Sequence, residues 1–328
     1  MKLVVDDKIP HIHAFFDSCD VITALPGDAI TARDLRDADV LIVRTITPVS
    51  ENLLANTSVK FVGTASTGVD HIDINYLKKH HIAFASAAGA NAQAVADYVA
   101  ACINALQQQK KLQKNATIGV IGCGRIGRLV ATHCERLGFQ VICYDPLLVN
   151  KLSFRFVSFD TLITQSDLMT LHVPLTTTGL YPTFHMINEK IMRAMKQNVI
   201  LMNTSRGSVI DQTALLHAKT GTFCLDVWEN EPAISLEVLN KALIATPHIA
   251  GYSADAKFRA TDMLYQQAAD FFGWKKARVD TSCVSRHKSI QYDPLAHTQA
   301  FKAAFQGVND VATIQKIFME QRKNYTLR

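Results

Sequence analysis

Short apolar runs rich in β-branched residues alternate with longer stretches of helical apolar period along most of this chain. That alternation is typical of a parallel sheet whose strands are joined by crossover helices, so it predicts the α/β class. A first series of strands is predicted at Lys2–Val5, Val40–Arg44, Phe61–Ala65 and Ile82–Ala85. After a long helix over Ala92–Gln109, a second series is predicted at Thr117–Ile121, Val141–Tyr144, Leu168–Leu171, Val199–Met202, Phe223–Val227 and Ala245–Thr246.

The length of the chain, 328 residues, exceeds what one hydrophobic core usually supports, so two domains with a small appendage are expected. A helical apolar pattern over Phe258–Trp274 follows the last predicted strand and is expected to return to the first unit, which makes that unit discontinuous. The predicted substrate-binding domain comprises residues 1–92 and 256–280, the dinucleotide-binding domain residues 93–255, and a C-terminal segment residues 281–328.

Composition and charge argue against nucleic-acid binding and membrane insertion. The net charge is +5, but the Lys and Arg residues are scattered, so a nucleic-acid footprint is not indicated. This mild positive charge is equally compatible with anionic metabolites as ligands and does not choose between them. No apolar run approaches the roughly 20 residues that span a bilayer, and no charged-then-apolar leader opens the chain. The seven cysteines are odd in number and lack C-x-x-C spacing. These features predict a soluble protein of the reducing cytoplasm.

A glycine-rich hexad over Gly122–Gly127, with the sequence GCGRIG, matches the G-x-G-x-x-G pattern and lies between a predicted strand and a predicted helix. In that setting Gly122 permits a tight turn, Gly124 lets the backbone approach a pyrophosphate, and Gly127 lets the helix pack on the strand. A glycine-rich turn without a ligand is the alternative, and FAD and S-adenosylmethionine proteins share parts of the pattern. The hexad therefore predicts a nucleotide-binding sheet.

An acidic residue is expected about twenty positions further on, at the end of the second strand of such a sheet, where it bonds the ribose hydroxyls. Asp145 occupies that position. Its negative charge would repel a 2′-phosphate, so the sequence predicts NAD rather than NADP as the cofactor.

Three polar residues follow strands of the second series: Arg206, Glu231 and His248. Open α/β sheets bind their ligands at this end of the strands. Hydride transfer at C2 of a 2-hydroxy acid needs a guanidinium for the carboxylate, a base for the hydroxyl proton and a neighbour that orients the base. Arg206 would bind the carboxylate and His248 would act as acid/base. Glu231 would hold the imidazole and favour its protonated form.

Each of these residues also has an ordinary structural interpretation, since a lone arginine is usually solvated or ion-paired and a histidine is often a hydrogen-bonded core group. Spacing does not decide whether Glu229 or Glu231 faces the histidine. His71, His172 and His185 have no partner pattern and are assigned no chemistry. No histidine or carboxylate spacing indicates a metal site.

Four motifs, in this order, resemble the D-isomer-specific 2-hydroxyacid dehydrogenase family over most of the chain. They are the hexad over Gly122–Gly127, NTSRG over Asn203–Gly207, DVWENEP over Asp226–Pro232 and PHIAG over Pro247–Gly251. The resemblance assigns catalysis to Arg206, Glu231 and His248. It implies an NAD-dependent dehydrogenase of two Rossmann-like parallel-sheet domains, one flavodoxin-like and one NAD-binding, with a cleft between them and a small C-terminal dimerisation segment.

The resemblance also implies individual contacts and a homodimer. The N-terminal half is most similar to members that act on a small phosphorylated 2-hydroxy acid, which implies substrate contacts from Thr45, Ser66 and Tyr252. Cofactor contacts are implied from Gly122, Gly124, Arg125, Ile126, Gly127, Asp145, Val173, Thr204, Ser205, Arg206, Asp226 and Gly251. Little chain follows Arg322–Tyr325, so the dimerisation segment is expected to be shortened.

Arg44 and Lys257 are cations beside the expected substrate contacts, so either is a candidate for holding a substrate phosphate. Two further interpretations are open. One is another dehydrogenase of this family, acting on 3-phosphoglycerate, glycerate or hydroxypyruvate, or lactate. The other is a non-catalytic regulator that keeps the fold and senses NADH, although the presence of Arg206, Glu231 and His248 together argues against it.

Overall fold

The computed structural model describes residues 1–17, 19–148, 153–219, 221–275 and 292–326, which divide into two compact units. Unit 1 comprises Met1–Asn91 and the described residues from Tyr252 to 275. Unit 2 comprises Ala92–Gly251 and residues 292–326. The domain boundary expected at residues 280 and 281 lies outside the described residues, and the domain limits stay predictions.

Strands and helices alternate in both units, as the apolar pattern predicts. The strands are β1 Lys2–Asp6, β2 Val21–Leu25, β3 Val40–Val43, β4 Phe61–Thr64, β5 Ala83–Ser86, β6 Thr117–Ile121, β7 Gln140–Tyr144, β8 Leu168–Leu171, β9 Ile200–Asn203, β10 Thr222–Leu225 and β11 Ile244–Ala245. The helices are α1 Ile12–Phe15, α2 Glu51–Leu54, α3 Ile74–Lys79, α4 Ala92–Gln108, α5 Arg125–Arg136, α6 Phe159–Gln165, α7 Glu189–Ala194, α8 Gln212–His217, α9 Leu236–Lys241, α10 Ala254–Phe272, α11 Pro294–Ala303 and α12 Val311–Lys323. The predicted α/β class with two parallel sheets is confirmed.

Unit 1 is built on a parallel sheet whose described strands run in the order β2-β1-β3-β4-β5. The central strand β3 is buried at every position, which explains its uninterrupted apolar sequence. Helix α10 packs on this sheet through Leu264 and Tyr265, which share a buried cluster with Phe15 and Phe16. The helix expected over Phe258–Trp274 therefore exists and belongs to unit 1, with its N-terminus a turn earlier than predicted.

Strand β2 is missing from the predicted strands. It pairs with β1 at the edge of the sheet, and its residues are exposed or half-buried, with Val21 46% exposed. A strand that buries neither face fully has no clear apolar alternation, so its pattern resembles a loop.

Unit 2 is built on a parallel sheet whose described strands run in the order β11-β10-β9-β8-β6-β7. The strands predicted in the second series are all present. The chain passes from β6 to β7 on one side and later to β8 on the other, and sheets of this kind bind ligands outside the strand ends at such a reversal. Asp211 caps α8, since its carboxylate accepts from the N–H groups of Thr213 and Ala214.

Helix α11 packs against β11, the edge strand of this sheet, and α12 packs on α11. The hydroxyl of Thr298 in α11 accepts from the N–H of Ala245 in β11 at 2.9 Å. Phe301 of α11 and Phe318 of α12 are fully buried in the cluster that contains Trp228. Helix α11 therefore covers backbone that an edge strand otherwise exposes.

Three further observations concern the described residues. None of the described helices combines the length and the apolar character needed to cross a bilayer. Within the described ranges, no group of three or more His, Cys, Asp or Glu side chains is placed to hold a metal ion. The described cysteines are buried thiols.

Candidate active site

The glycine hexad forms the turn between β6 and α5. Gly122 has a φ of +87°, a left-handed conformation that favours glycine. A Cβ at Gly127 would lie 1.9 Å from the carbonyl oxygen of Gly122, so glycine is required for α5 to approach β6 this closely. A Cβ at Gly124, the N-cap of α5, would have no heavy atom within 4 Å. Open space in front of helix-terminal amides fits the pyrophosphate of a dinucleotide.

Replacing Gly124 by valine is expected to abolish NADH binding and leave the fold intact, because the new side chain would fill the open space in front of α5. Gly127→Ala is the comparison variant: its Cβ would collide with the backbone of Gly122, so it is expected to lower Tm as well as binding. Fluorescence titration with NADH measures binding, and thermal unfolding measures stability. Wild-type affinity in Gly124→Val would contradict this placement of the cofactor.

Asp145 follows β7 and lies against the hexad. Its Oδ2 accepts from the N–H of Cys123 at 2.9 Å, and its Oδ1 accepts from the N–H of Leu147 at 3.0 Å. Val173, which follows β8, also lies beside the hexad, since its Cγ1 is 2.8 Å from the position of a Cβ at Gly122. Asp145 and Val173 therefore border the expected dinucleotide site, and their contacts with the cofactor stay predictions.

The other residues expected at the cofactor lie at the same edge of the sheet, because parallel strands end on one side. Arg125 and Ile126 open α5, Thr204, Ser205 and Arg206 follow β9, and Asp226 and Gly251 follow β10 and β11. Their placement agrees with a dinucleotide lying along the strand ends.

Asp226, which is expected to contact the cofactor, also holds a neighbouring segment of the chain through hydrogen bonds. It is 1% exposed, and its carboxylate accepts from the hydroxyl of Thr246 at 2.6 Å and from the N–H groups of Ile249 and Ala250 at 2.8 and 2.9 Å. These bonds fix the segment after β11. A cofactor contact from Asp226 stays a prediction.

Glu231 and His248 form a hydrogen-bonded pair. Oε2 of Glu231 lies 2.7 Å from Nδ1 of His248, and Oε1 accepts from the N–H of Trp228 at 2.7 Å. The two side chains are 19% and 29% exposed, so the pair can be reached by a ligand. Because an ionised carboxylate accepts and does not donate, Nδ1 carries the proton in this pair. Nε2 is then the nitrogen that can exchange a proton with a substrate.

Charges around Glu231 keep its carboxyl ionised. Burial alone raises the pKa of this carboxyl, but His248, the hydrogen bonds from His248 and Trp228, and Arg322 of α12 outweigh burial and hold the pKa below its usual value. An ionised Glu231 can both orient the imidazole and stabilise the imidazolium.

Arg206 reaches the same edge from the end of β9. Nδ2 of Asn203 donates to the carbonyl oxygen of Arg206 at 2.8 Å, and the hydroxyl of Ser205 donates to Oδ1 of Asn203 at 2.8 Å. Gly207 packs on the loop after β10, since a Cβ there would lie 1.9 Å from the carbonyl carbon of Trp228. The backbone that carries the Arg206 side chain is therefore fixed against the loop that leads to Glu231.

Two histidines without a partner pattern in the sequence have partners in the structure. Nε2 of His185 lies 2.7 Å from Oε1 of Glu229, so the other glutamate candidate is paired away from His248. Nε2 of His172 lies 3.0 Å from the hydroxyl of Thr170, and burial lowers the pKa of His172 to about 3. A ring that stays neutral near pH 7 is a poorer acid/base candidate than one held beside a carboxylate.

Ser66, expected at the substrate, belongs to a chain of hydrogen bonds in unit 1. Its hydroxyl donates to the carbonyl oxygen of Gly68 at 2.8 Å and lies 2.6 Å from Oγ1 of Thr64, which lies 2.9 Å from Nε2 of His71. Because the Ser66 proton is used on Gly68, Thr64 donates to Ser66 and His71 donates to Thr64. Ser66 Oγ can therefore face a substrate as an acceptor, which suits a substrate hydroxyl.

The other residues expected at the substrate are also in unit 1, with cations near them. Thr45 follows β3 and is exposed. Arg44 pairs with the fully buried Asp6 at 2.9 Å, and Nζ of Lys257 lies 5.5 Å from the ring centroid of Tyr252. Burial and the nearby Arg44 lower the pKa of Lys257. The two cations are therefore close enough to repel each other, and an anion between them would relieve that repulsion.

Comparison with known proteins identifies the family. Residues 83–250 match the family model described as D-isomer specific 2-hydroxyacid dehydrogenase, NAD binding domain, so the predicted cofactor, NAD, is confirmed. An erythronate-4-phosphate dehydrogenase of Acinetobacter baumannii is 39% identical over 351 residues, covering 100% of this chain and 97% of that protein. The protein of that name from Coxiella burnetii is 43% identical over 274 residues, covering 83% of this chain and 75% of the relative.

Solved structures agree with these sequence matches. The crystal structure of D-lactate dehydrogenase from Aquifex aeolicus, complexed with NAD and lactic acid, matches with a TM-score of 0.71 and 27% identity, covering 83% of this chain and 96% of that one. The resemblance carried by the four motifs is therefore confirmed. The chain belongs to the D-isomer-specific 2-hydroxyacid dehydrogenase family and, within it, to the group of erythronate-4-phosphate dehydrogenases.

Proposed function

We propose that this protein oxidises 4-phospho-D-erythronate at C2, with NAD, to (R)-3-hydroxy-2-oxo-4-phosphobutanoate, a step of pyridoxal 5′-phosphate (vitamin B6) biosynthesis. The observation that carries the proposal is the hydrogen-bonded pair of Glu231 and His248 at the strand ends of an NAD-binding sheet, where Arg206 also lies. The substrate is proposed from the names of the relatives that match over most of the chain.

The three side chains divide the reaction between them. The guanidinium of Arg206 binds the substrate carboxylate in two parallel hydrogen bonds and so places C2. Nε2 of His248 takes the proton of the C2 hydroxyl as the hydride leaves C2. The bond from Nδ1 to Glu231 keeps the ring oriented and stabilises the imidazolium that forms. NAD, when bound, supplies the acceptor for the hydride. In the reverse reaction His248 returns the proton to the substrate oxygen.

A phosphate on the substrate is proposed to lie between Arg44 and Lys257. Arg44 is bound to the buried Asp6, so removing it also leaves a buried carboxylate without its partner. Lys257 allows the more selective test. Lys257→Met keeps an unbranched apolar side chain beside Tyr252 and removes the charge.

Lys257→Met is expected to raise KM for 4-phospho-D-erythronate roughly 10-fold or more, because one charged hydrogen bond to the phosphate is lost. KM for unphosphorylated erythronate should change little. Arg44→Ala should show the same selectivity together with a lower Tm. Steady-state kinetics on both substrates make the comparison, and an equal loss on both would reject a phosphate role for these cations.

We propose that the protein is a homodimer and that it is located in the cytoplasm. The homodimer follows from the family resemblance, and the buried thiols of the described cysteines suit a reducing compartment. Light scattering on the purified protein checks the assembly. Twice the chain mass of 36.3 kDa supports a homodimer, and the mass of a single chain rejects it.

A substrate screen tests the proposed activity. The rate of NADH formation is measured with 4-phospho-D-erythronate, 3-phosphoglycerate, glycerate and D-lactate. The highest kcat/KM is expected for 4-phospho-D-erythronate. A higher kcat/KM on another acid would assign the protein to a different dehydrogenase of the family. If none of these acids is oxidised and NADH still binds, the result would favour the alternative interpretation, a non-catalytic regulator that senses NADH.

A further inference from the structure

The segment that carries His248 is held in an unusual conformation by groups around it. His248 has a φ of +57°, in the left-handed region that side chains other than glycine rarely adopt. Two residues earlier, the hydroxyl of Thr246 donates to Asp226 and lies 2.7 Å from the hydroxyl of Tyr98 in α4. The position of the imidazole therefore depends on the groups that hold this segment in place.

Trp228 donates one hydrogen bond to Glu231 and another to the segment that carries His248. Its backbone N–H donates to Oε1 of Glu231 at 2.7 Å. Its indole Nε1–H donates to the carbonyl oxygen of Thr246 at 2.9 Å. The residue is only 4% exposed, so its ring has little freedom to move. A single residue thus connects the carboxylate to the segment that carries the imidazole.

Helix α11 supports both Trp228 and β11. The ring of Phe301 packs against the indole of Trp228, with centroids 6.1 Å apart, and both side chains are buried. Thr298, one turn earlier in α11, accepts from the N–H of Ala245, which directly precedes Thr246. Helix α11 therefore contacts both groups that hold the acid/base pair in place: the indole of Trp228 and the end of β11.

We propose that α11, acting through Trp228 and Thr298, is a positioning element for the Glu231–His248 pair. On this proposal the C-terminal helices do more than extend the fold, because they set the geometry in which His248 exchanges a proton. Trp228 and Thr298 are positioning residues, since they act through Glu231 and His248. The inference rests on the proposed function for its catalytic meaning and on the hydrogen bonds of unit 2 for its structural content.

The charged groups around the pair include one from the same C-terminal helices. Arg322 of α12 acts on Glu231 together with His248, and both lower the pKa of Glu231. α12 is joined to α11 through the rings of Phe318 and Phe301, with centroids 6.1 Å apart. A shift of α11 is therefore expected to alter the electrostatic surroundings of Glu231 as well as its geometry.

Conservative variants separate the two contacts. Trp228→Phe removes the indole N–H, keeps an aromatic ring facing Phe301 and leaves the backbone bond to Glu231 intact. Thr298→Val removes the acceptor for Ala245 at similar volume, and Thr298→Ser keeps that acceptor. Trp274→Phe is the matched control, because the chain has two tryptophans and Trp274 lies in unit 1, stacked on Phe272.

The first readout is magnetic resonance of the full chain labelled with ¹⁵N-histidine. The Nδ1–H signal of His248 is identified by its loss in His248→Asn. We expect this signal to move upfield or broaden by exchange in Trp228→Phe and Thr298→Val, because the bond to Glu231 is loosened. It should keep its wild-type position in Thr298→Ser and Trp274→Phe.

The second readout is the pH dependence of turnover. Trp228→Phe is expected to lower kcat about 10-fold, since a small misplacement of a catalytic group is costly, and to leave KM for NAD nearly unchanged. The acid limb of kcat/KM in the oxidation direction should move to lower pH, because Glu231 stabilises the imidazolium less well. A purely structural loss would reduce the rate by the same factor at every pH.

An unchanged Nδ1–H signal and an unmoved acid limb in folded Trp228→Phe and Thr298→Val would overturn the proposal. If Trp228→Phe does not fold, the comparison of Thr298→Val with Thr298→Ser decides alone. The resonance measurement needs no substrate. A wild-type protein without turnover would therefore reject the proposed function, while the resonance comparison would still test the positioning role.

Discussion

His248→Asn is expected to lower kcat by roughly 10³-fold, the scale of losing a positioned general acid/base. Asparagine tolerates the left-handed backbone at this position, where φ is +57°, so the fold should be kept. Its amide can still bond to Glu231, but it cannot take up the proton of the C2 hydroxyl. Binding of NADH should change little. Steady-state kinetics and NADH titration, made on the same preparation, check both expectations.

His185→Asn provides a closely matched control for that variant. His185 also has a positive φ, +48°, and also pairs with a glutamate, Glu229, at 2.7 Å in unit 2. This second pair has no role in the proposed proton transfer, so kcat should stay within a few-fold of the wild-type value. Equal losses in His185→Asn and His248→Asn would mean that the effect is structural and that His248 is not the acid/base.

Arg206→Lys is expected to lower kcat/KM for the hydroxy acid by roughly 100-fold. Lysine keeps the positive charge but cannot form two parallel hydrogen bonds with a carboxylate, and the loss of about 3 kcal/mol from one charged hydrogen bond corresponds to that factor. The turn fixed by Asn203 and Gly207 would place the ammonium at a different distance from the carboxylate. The measurement is kcat/KM for 4-phospho-D-erythronate at saturating NAD.

Arg193→Lys is the control for the arginine variant. Arg193 is an exposed residue of α7 that pairs with Glu189 one turn earlier, and exposed pairs contribute little. Its replacement should leave kcat/KM unchanged. Wild-type kcat/KM in Arg206→Lys would show that the substrate carboxylate is bound elsewhere in the protein.

Most of the fold is predictable because the central strands carry a strong signal. β3, β8 and β9 are buried at every position and are therefore recognisable as short apolar runs. The edge strand β2 carries no such signal, because its residues are largely exposed. Its place in the sheet follows from its pairing with β1, a tertiary contact that no local pattern encodes.

The candidate site is predictable where its residues follow strand ends and unpredictable where it depends on loop geometry. Arg206, Glu231 and His248 follow β9, β10 and β11, three neighbours in the parallel sheet, so spacing alone brings them to one edge. The same spacing does not show which glutamate faces His248. Glu229 and Glu231 are two residues apart, and the backbone between them turns at Asn230, with a φ of +61°. Strand alternation therefore does not apply there, and the family resemblance was needed to choose.

The supporting contacts lie beyond sequence reasoning for a related reason. The bond from Trp228 to Thr246 spans 18 positions, and the bond from Ala245 to Thr298 spans 53. Each bond depends on how separate helices, strands and loops pack, and neither produces a periodic pattern in the sequence. The pairs Arg44–Asp6 and His185–Glu229 are likewise visible only once the chain is folded.

Isotope transfer tests the central claim most directly. The protein is incubated with NAD and 4-phospho-D-erythronate carrying deuterium at C2, and the nicotinamide product is analysed by mass spectrometry. The account predicts reduced nicotinamide that carries the deuterium, formed by the wild type and by His185→Asn, and lost with His248→Asn. Reduced nicotinamide without deuterium, or its formation at the wild-type rate by His248→Asn, would contradict the account.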